Sequence, residues 1–153
     1  MARKASVDSG SSNGFDDIIG VSLLAAALLL VVAQLSFHRG DISLLTTPVN
    51  KPTHNWIGPL GAWLAWGSFL PFGVVGYLLP TLLALFGVAY LLNFLSYLRV
   101  RLRWSLFWTG GILVALTGLL YIMGESGLLG KAHERLGSQS AGGFLGWITY
   151  GET

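Results

Sequence analysis

Residues 55–73 read NWIGPLGAWLAWGSFLPFG. Three Trp, two Phe, three Leu and no charged side chain make this stretch apolar enough for a bilayer. Pro59 and Pro71, with Gly58, Gly61, Gly67 and Gly73, make it unfit for one straight helix. Seventeen helical residues from Trp56 to Phe72 would reach about 25 Å, short of the roughly 30 Å hydrocarbon core. Trp63, Trp66 and Phe69 recur every third residue, which lays an aromatic stripe along a short helix. Trp favours the level of the lipid headgroups. The segment therefore reads as a short helix over 57–72 that lies in, or dips into, the outer leaflet. Gly67, Pro71 and Gly73 then turn the chain into the next span. Backbone groups freed by such breaks must meet protein or water, so this helix should pack against neighbouring helices or another subunit. The alternative is one long Pro-kinked helix from 57 to 98, tilted to fit the bilayer.

The rest of the 153 residues sets that segment in an integral membrane protein. Hydrophobic residues make up 53% and charged residues only 10%, against about 25% charged in a soluble domain. With no Cys, disulfides, thiolate metal sites and cysteine nucleophiles are excluded. A net charge of +2 gives no footing for nucleic acid.

Three apolar runs are long enough to span, at about 18–37, 74–98 and 104–123. Residues 1–17 read as a flexible cytoplasmic tail, rich in Ser and Gly. A cleaved signal peptide is the rival reading of the first run. The apolar run continues past its Val31–Val32–Ala33 site, and Asp16 and Asp17 stand where a basic region belongs. Trp104 and Trp108 belt one end of the third run and Tyr121 the other. The fold class expected is all-α integral membrane, with three transmembrane helices plus one short interfacial or re-entrant helix. Arg99, Arg101 and Arg103 form a basic loop between two spans and act as topology determinants. With that loop inside, the N-terminus is cytoplasmic, and the 38–54 loop and the C-terminal segment face out. A crossing at 57–72 would move the Arg loop outside, which argues again for a non-crossing segment.

Few residues invite chemistry. Gly124 and Gly130 have five residues between them rather than four, and Ala132 follows Lys131, so GESGLLGKA fails as a phosphate loop. His38, His54 and His133 share one aqueous side with Asp41 and Glu134, but their spacing matches no compact metal pattern. No metal, cofactor or catalytic residue is expected. The spans hold no acidic or basic residue, which argues against a transporter or channel. Gln34 and Asn93 read as interhelical hydrogen-bond partners. Small residues fall on one face at Gly111, Ala115 and Gly118 in the third span, and at Ser22 and Ala26 in the first. Such faces allow close approach, within one subunit or between subunits.

The segment order, and above all residues 55–80, resembles the N-terminal membrane domain of the FtsK/SpoIIIE family of DNA translocases. The matching residues are Asn55, Gly58, Gly61, Ala62, Trp63, Leu64, Ala65, Phe72, Gly73, Tyr77 and Pro80. Gly142, Gly143 and Gly146 resemble the element before that family's fourth helix. Trp66 stands where the family often has Asp. The resemblance covers roughly 18–150, with 139–150 as the lead-in to a fourth helix that the sequence does not contain. The chain reads as a fragment or a shortened relative, without the motor, and so not as an enzyme.

The resemblance implies membrane anchoring and assembly of a septal DNA translocase in the bacterial inner membrane. It also implies a homo-oligomer, hexameric in the family, and division-site membrane partners, with no direct nucleic-acid contact by this chain. An independent membrane scaffold protein is the competing reading. Trp63, Trp66, Phe69, Gly111 and Gly118 are the residues expected to carry assembly.

Overall fold

The computed structural model describes residues 14–92, 95–127 and 132–151. Every regular element among them is helical. In chain order these are α1 (Gly14–Leu35), a 3-10 turn (Arg39–Asp41), α2 (Pro59–Phe72), a 3-10 segment (Gly73–Leu78), α3 (Leu79–Leu91), α4 (Leu95–Glu125), α5 (Ala132–Leu136) and α6 (Gly143–Tyr150). Three helical runs are long and apolar enough to cross a membrane: Asp17–Leu35, Pro59–Leu91 and Trp104–Glu125. The protein is an all-α, multi-pass membrane protein.

α1 starts at Gly14, four residues before the expected Ile18. Asp17 thereby falls near its N-terminal end, where a carboxylate suits the positive end of the helix dipole. Three of the helix's last four carbonyls find partners. Ser36 donates to Val32 O through its N–H (3.1 Å) and hydroxyl (2.7 Å), Asn55 Nδ2 to Ala33 O (2.8 Å), and Phe37 N to Gln34 O (3.3 Å).

α1 and α3 run antiparallel. At one end Gly20 lies on Gly87, where a Cβ on either would stand 3.0 Å from the other's carbonyl oxygen. At the other end Gln34 Nε2 donates to Ser68 Oγ (2.8 Å) and to Gly76 O (2.9 Å). The close backbone approach is the kind small residues permit between membrane helices. Sequence pattern points to Ser22 and Ala26 for the α1 contact, but both are exposed. The face that packs is one residue pair away in phase, on Gly20 and Leu24.

The chain from Pro59 to Leu91 is not one kinked rod. Gly73 has φ 56° and ψ −131°, outside any helix. Across it the chain doubles back, so that a Cβ on Gly76 would sit 2.8 Å from Ser68 O. Eight residues of straight helix would separate those positions by about 12 Å. α2 thus folds over the C-terminal end of α1, as expected for a segment that turns at Gly73. The 3-10 segment and α3 span without it: six residues at about 2.0 Å and thirteen at about 1.5 Å give about 31 Å. Pro80 is the second residue of α3, where its missing N–H is harmless.

The next connection differs from the sequence reading. α3 stops at Leu91 rather than 98, and α4 begins at Leu95, so Arg99, Arg101 and Arg103 belong to a helix instead of a loop. Charge marks a membrane boundary, but it does not break a helix. Arg and Leu are good helix formers, and α4 meets no Gly before Gly110 and no Pro at all. The apolar window begins directly after the Arg run, at Trp104. The side chains of these three Arg, and Asn93 altogether, lie outside the described residues.

α4 runs parallel to α1, and its C-terminal half meets α6 at Thr117 and Tyr121. The spans therefore go up, down and up. Loop 38–58, α2 and α5 gather at the end marked by Gln34. A small core sits there: Ala33, Ala65, Phe69 and Leu136, flanked by Phe37, Ile57 and Val74. α6 has eight residues, about 12 Å, too short to cross.

Candidate functional site

The polar loop between α1 and α2 is organised by one buried carboxylate. Asp41 Oδ1 accepts from Asn50 Nδ2 (3.1 Å) and His54 N (3.0 Å), and Oδ2 from Asn55 N (2.8 Å). Burial pushes the Asp41 carboxyl up. The hydrogen bonds from the His54 N–H, the Asn50 amide and the Asn55 N–H, with the nearby His54 ring, outweigh it and hold the group below its ordinary value. His38 and His54 stack beside it with ring centroids 4.9 Å apart. Of the five residues that sequence places on one aqueous side, His38, Asp41 and His54 come together, and His133 and Glu134 do not join them. Their sequence separations of 3 and 13 match no compact motif. The two turns that hold Asp41 bring them into register.

Asn55 links this loop to the helices. Its side chain is buried, donating to Ala33 O and accepting from Ile57 N (3.1 Å). A Cβ on Gly61 would collide with Asn55 Oδ1. Asn55 and Gly61 are therefore one device: the missing side chain leaves room for the amide under the first turn of α2. Gly58 caps α2 at φ 84° and ψ −159°, a region that is essentially glycine's own.

The aromatic stripe of α2 does not face one way. Trp63 is 40% exposed and packs edge-on against Trp66 at 5.3 Å. Trp66 is half-buried, and its Nε1 donates to Gly137 O at 3.2 Å, tying α2 to the segment after α5. Phe69 is fully buried against Phe37 and Tyr77. Three-residue steps advance about 300° each on a helix, so the stripe drifts from the surface into the core.

At the break itself, backbone meets backbone. Val74 N donates to Ala141 O (2.9 Å). A Cβ on Gly73 would collide with Ala141 O and Gly143 N, and one on Gly142 with Thr117 O. Gly143 also has positive φ, 67°. The turn between α2 and α3, the start of α6 and the middle of α4 thus share one glycine-lined junction. The family model described as the 4TM region of DNA translocase FtsK/SpoIIIE matches residues 12–153. The chain belongs to that family. No solved structure matches it.

In this FtsK/SpoIIIE membrane domain the remaining sequence candidates fall into two groups. Asn55, Gly58, Gly61, Trp66, Phe69, Gly73 and Pro80 serve the chain's own packing, as above. Gly118 joins them, since a Cβ there would collide with the Tyr150 ring of α6. Gly111 and Ala115 are exposed, and nothing lies within 4 Å of a Cβ built on Gly111. Trp63 is the stripe's outward member. Gln34, expected as an interhelical hydrogen-bond partner, bonds Ser68 and Gly76, and Asp41, weighed only beside the histidines, is the loop's buried anchor. Ser68 and Thr117 escaped the sequence reading: each is a buried polar residue, and Thr117 Oγ1 turns on its own helix toward Val114 O (2.7 Å).

Proposed function

We propose that this chain is the membrane anchor and assembly domain of a septal DNA translocase. On this reading it sits in the bacterial inner membrane with its N-terminus in the cytoplasm. The family match over residues 12–153 carries the reading, since that family is the translocase's membrane region and not its motor. The up–down–up fold supports the orientation. α1 and α4 run parallel, so Gly14 and the Arg99–Arg103 turns start from the same side. The junction at Gly73 braces the opposite end and leaves two surfaces for assembly. One is the exposed α4 face around Gly111 and Ala115, suited to a second subunit. The other is Trp63, suited to a division-site membrane partner.

Fluorescent fusion of the full-length gene product at its native locus tests the role. Septal accumulation is expected, reduced by Trp63→Ala while helicity and membrane insertion stay normal. A uniform membrane distribution of the wild type would sink the septal reading.

A further inference from the structure

The stacked histidines beside Asp41 have an arrangement that holding a loop closed does not require. We propose that His38, Asp41 and His54 form a binding site for a divalent transition-metal ion, zinc or a first-row neighbour, that clasps the loop between α1 and α2. The three residues offer ligand atoms that all lie within 4.8 Å of one another. His54 Nδ1 and Asp41 Oδ1 stand 3.6 Å apart. Around a zinc ion with bonds of about 2.0–2.2 Å, neighbouring ligand atoms are about 3.4 Å apart. That pair is therefore already near its bound separation, and the third ligand has to close by at most about 1.4 Å. The side chains that must move, His38 and His54, are the exposed ones, while Asp41 is fixed by three hydrogen bonds.

Gly40 N–H donates to His38 Nδ1 at 3.2 Å, so coordination through that nitrogen displaces this hydrogen bond. Asn50 Nδ2 lies 3.2 Å from His38 Nδ1 and 3.1 Å from Asp41 Oδ1, so a positively polarised N–H group sits between two of the donors. A cation there exchanges places with that amide. Flipping the amide turns its carbonyl oxygen toward the ion as a fourth ligand. Asp41 Oδ1 accepts from Asn50 Nδ2 and His54 N, so the ion takes the Asn50 amide's place on that oxygen.

The donor set selects the ion. Two imidazoles and one carboxylate suit zinc, copper or nickel, whereas calcium and magnesium need several oxygens. Function gains a loop whose two ends, at the C-terminus of α1 and the start of α2, are pinned by one ion.

Calorimetric titration of zinc into the purified full-length protein, with any affinity tag removed, tests this. Saturable binding of about one ion per chain is expected. Cobalt substitution should give visible d–d bands. His38→Ala and His54→Ala should each weaken binding at least tenfold, with helicity unchanged, and His133→Ala should leave it as it was. Asp41→Asn is a poor probe, because Asp41 also holds the loop; the two exposed histidines keep the test clean. Absence of saturable binding at micromolar zinc, or binding that survives the double His38→Ala/His54→Ala variant, overturns the site.

Discussion

Asp41 and Asn55 are where single polar atoms decide the geometry of the loop. Three donors converge on the Asp41 carboxylate, and hydrogen bonds to a charged group contribute about 1.5–3 kcal/mol each. Asp41→Asn turns one acceptor into a donor facing donors, so a loss of about 2 kcal/mol is expected in thermal or denaturant unfolding. The carboxyl is held below its ordinary value of 3.8 in the folded protein. Its stabilisation is therefore complete above that pH and is lost as pH falls through the lowered folded-state value. The difference between wild type and Asp41→Asn should be constant from neutral pH down to about pH 5 and shrink below the unfolded value. A difference that grows on acidification would contradict the assignment. For Asn55→Ala, the Ala33 carbonyl loses its partner in a buried place, at a cost of about 1–3 kcal/mol. A variant as stable as wild type in the same unfolding assay would place that carbonyl in contact with water. Sequence marked Asn55 and Gly61 separately. Their partnership depends on where Ile57 and Gly58 send the chain, and residue spacing does not carry that.

Among the elements, the break at Gly73 separates two glycine roles that look alike in sequence. Gly73 has positive φ, and its missing side chain admits the Ala141–Gly143 backbone. Gly110 is helical, with nothing within 4 Å of a Cβ. Gly73→Ala should cost at least about 3 kcal/mol, from left-handed strain plus a collision that neither backbone can relieve. Gly110→Ala should be neutral to slightly stabilising, within about 1 kcal/mol, because Ala favours the helix. Thermal unfolding of both in the same detergent checks the contrast, and equal stability of the two would remove the junction from the fold. The turn at Gly73 was legible because Pro71 and Gly73 interrupt an apolar run. Its docking on Gly143 was not, since Gly143 lies 70 positions further along the chain. The α4 start is hidden for a different reason: the Arg run carries a topology signal, while the same run of helix formers carries a conformational one.

For the molecule as a whole, composition and apolar run length were enough for the class and the number of candidate spans. Which helix faces touch was hidden, because lipid-facing and protein-facing residues are equally apolar in a bilayer. Gly20 and Gly87 pack while Ser22 and Ala26 stay exposed, with nothing in their residue types to separate the pairs. The fold also constrains topology more tightly than charge does. The α5 segment is joined to α2 by Trp66 Nε1 to Gly137 O, its Leu136 packs with Ala33 and Phe69, and Leu45 of loop 38–58 lies against Gly137, so loop and segment share a side of the membrane. Because this chain has no native Cys, single cysteines report the side directly. Ser43→Cys and Arg135→Cys, both at exposed positions, should react together with an impermeant thiol reagent on intact cells. Arg101→Cys should react only after the membrane is opened. Labelling of 101 from outside with 43 and 135 protected would invert the orientation yet keep the fold. Labelling of 43 and 135 from opposite sides would break the fold itself, because no bilayer can pass between α2 and the segment that Trp66 holds.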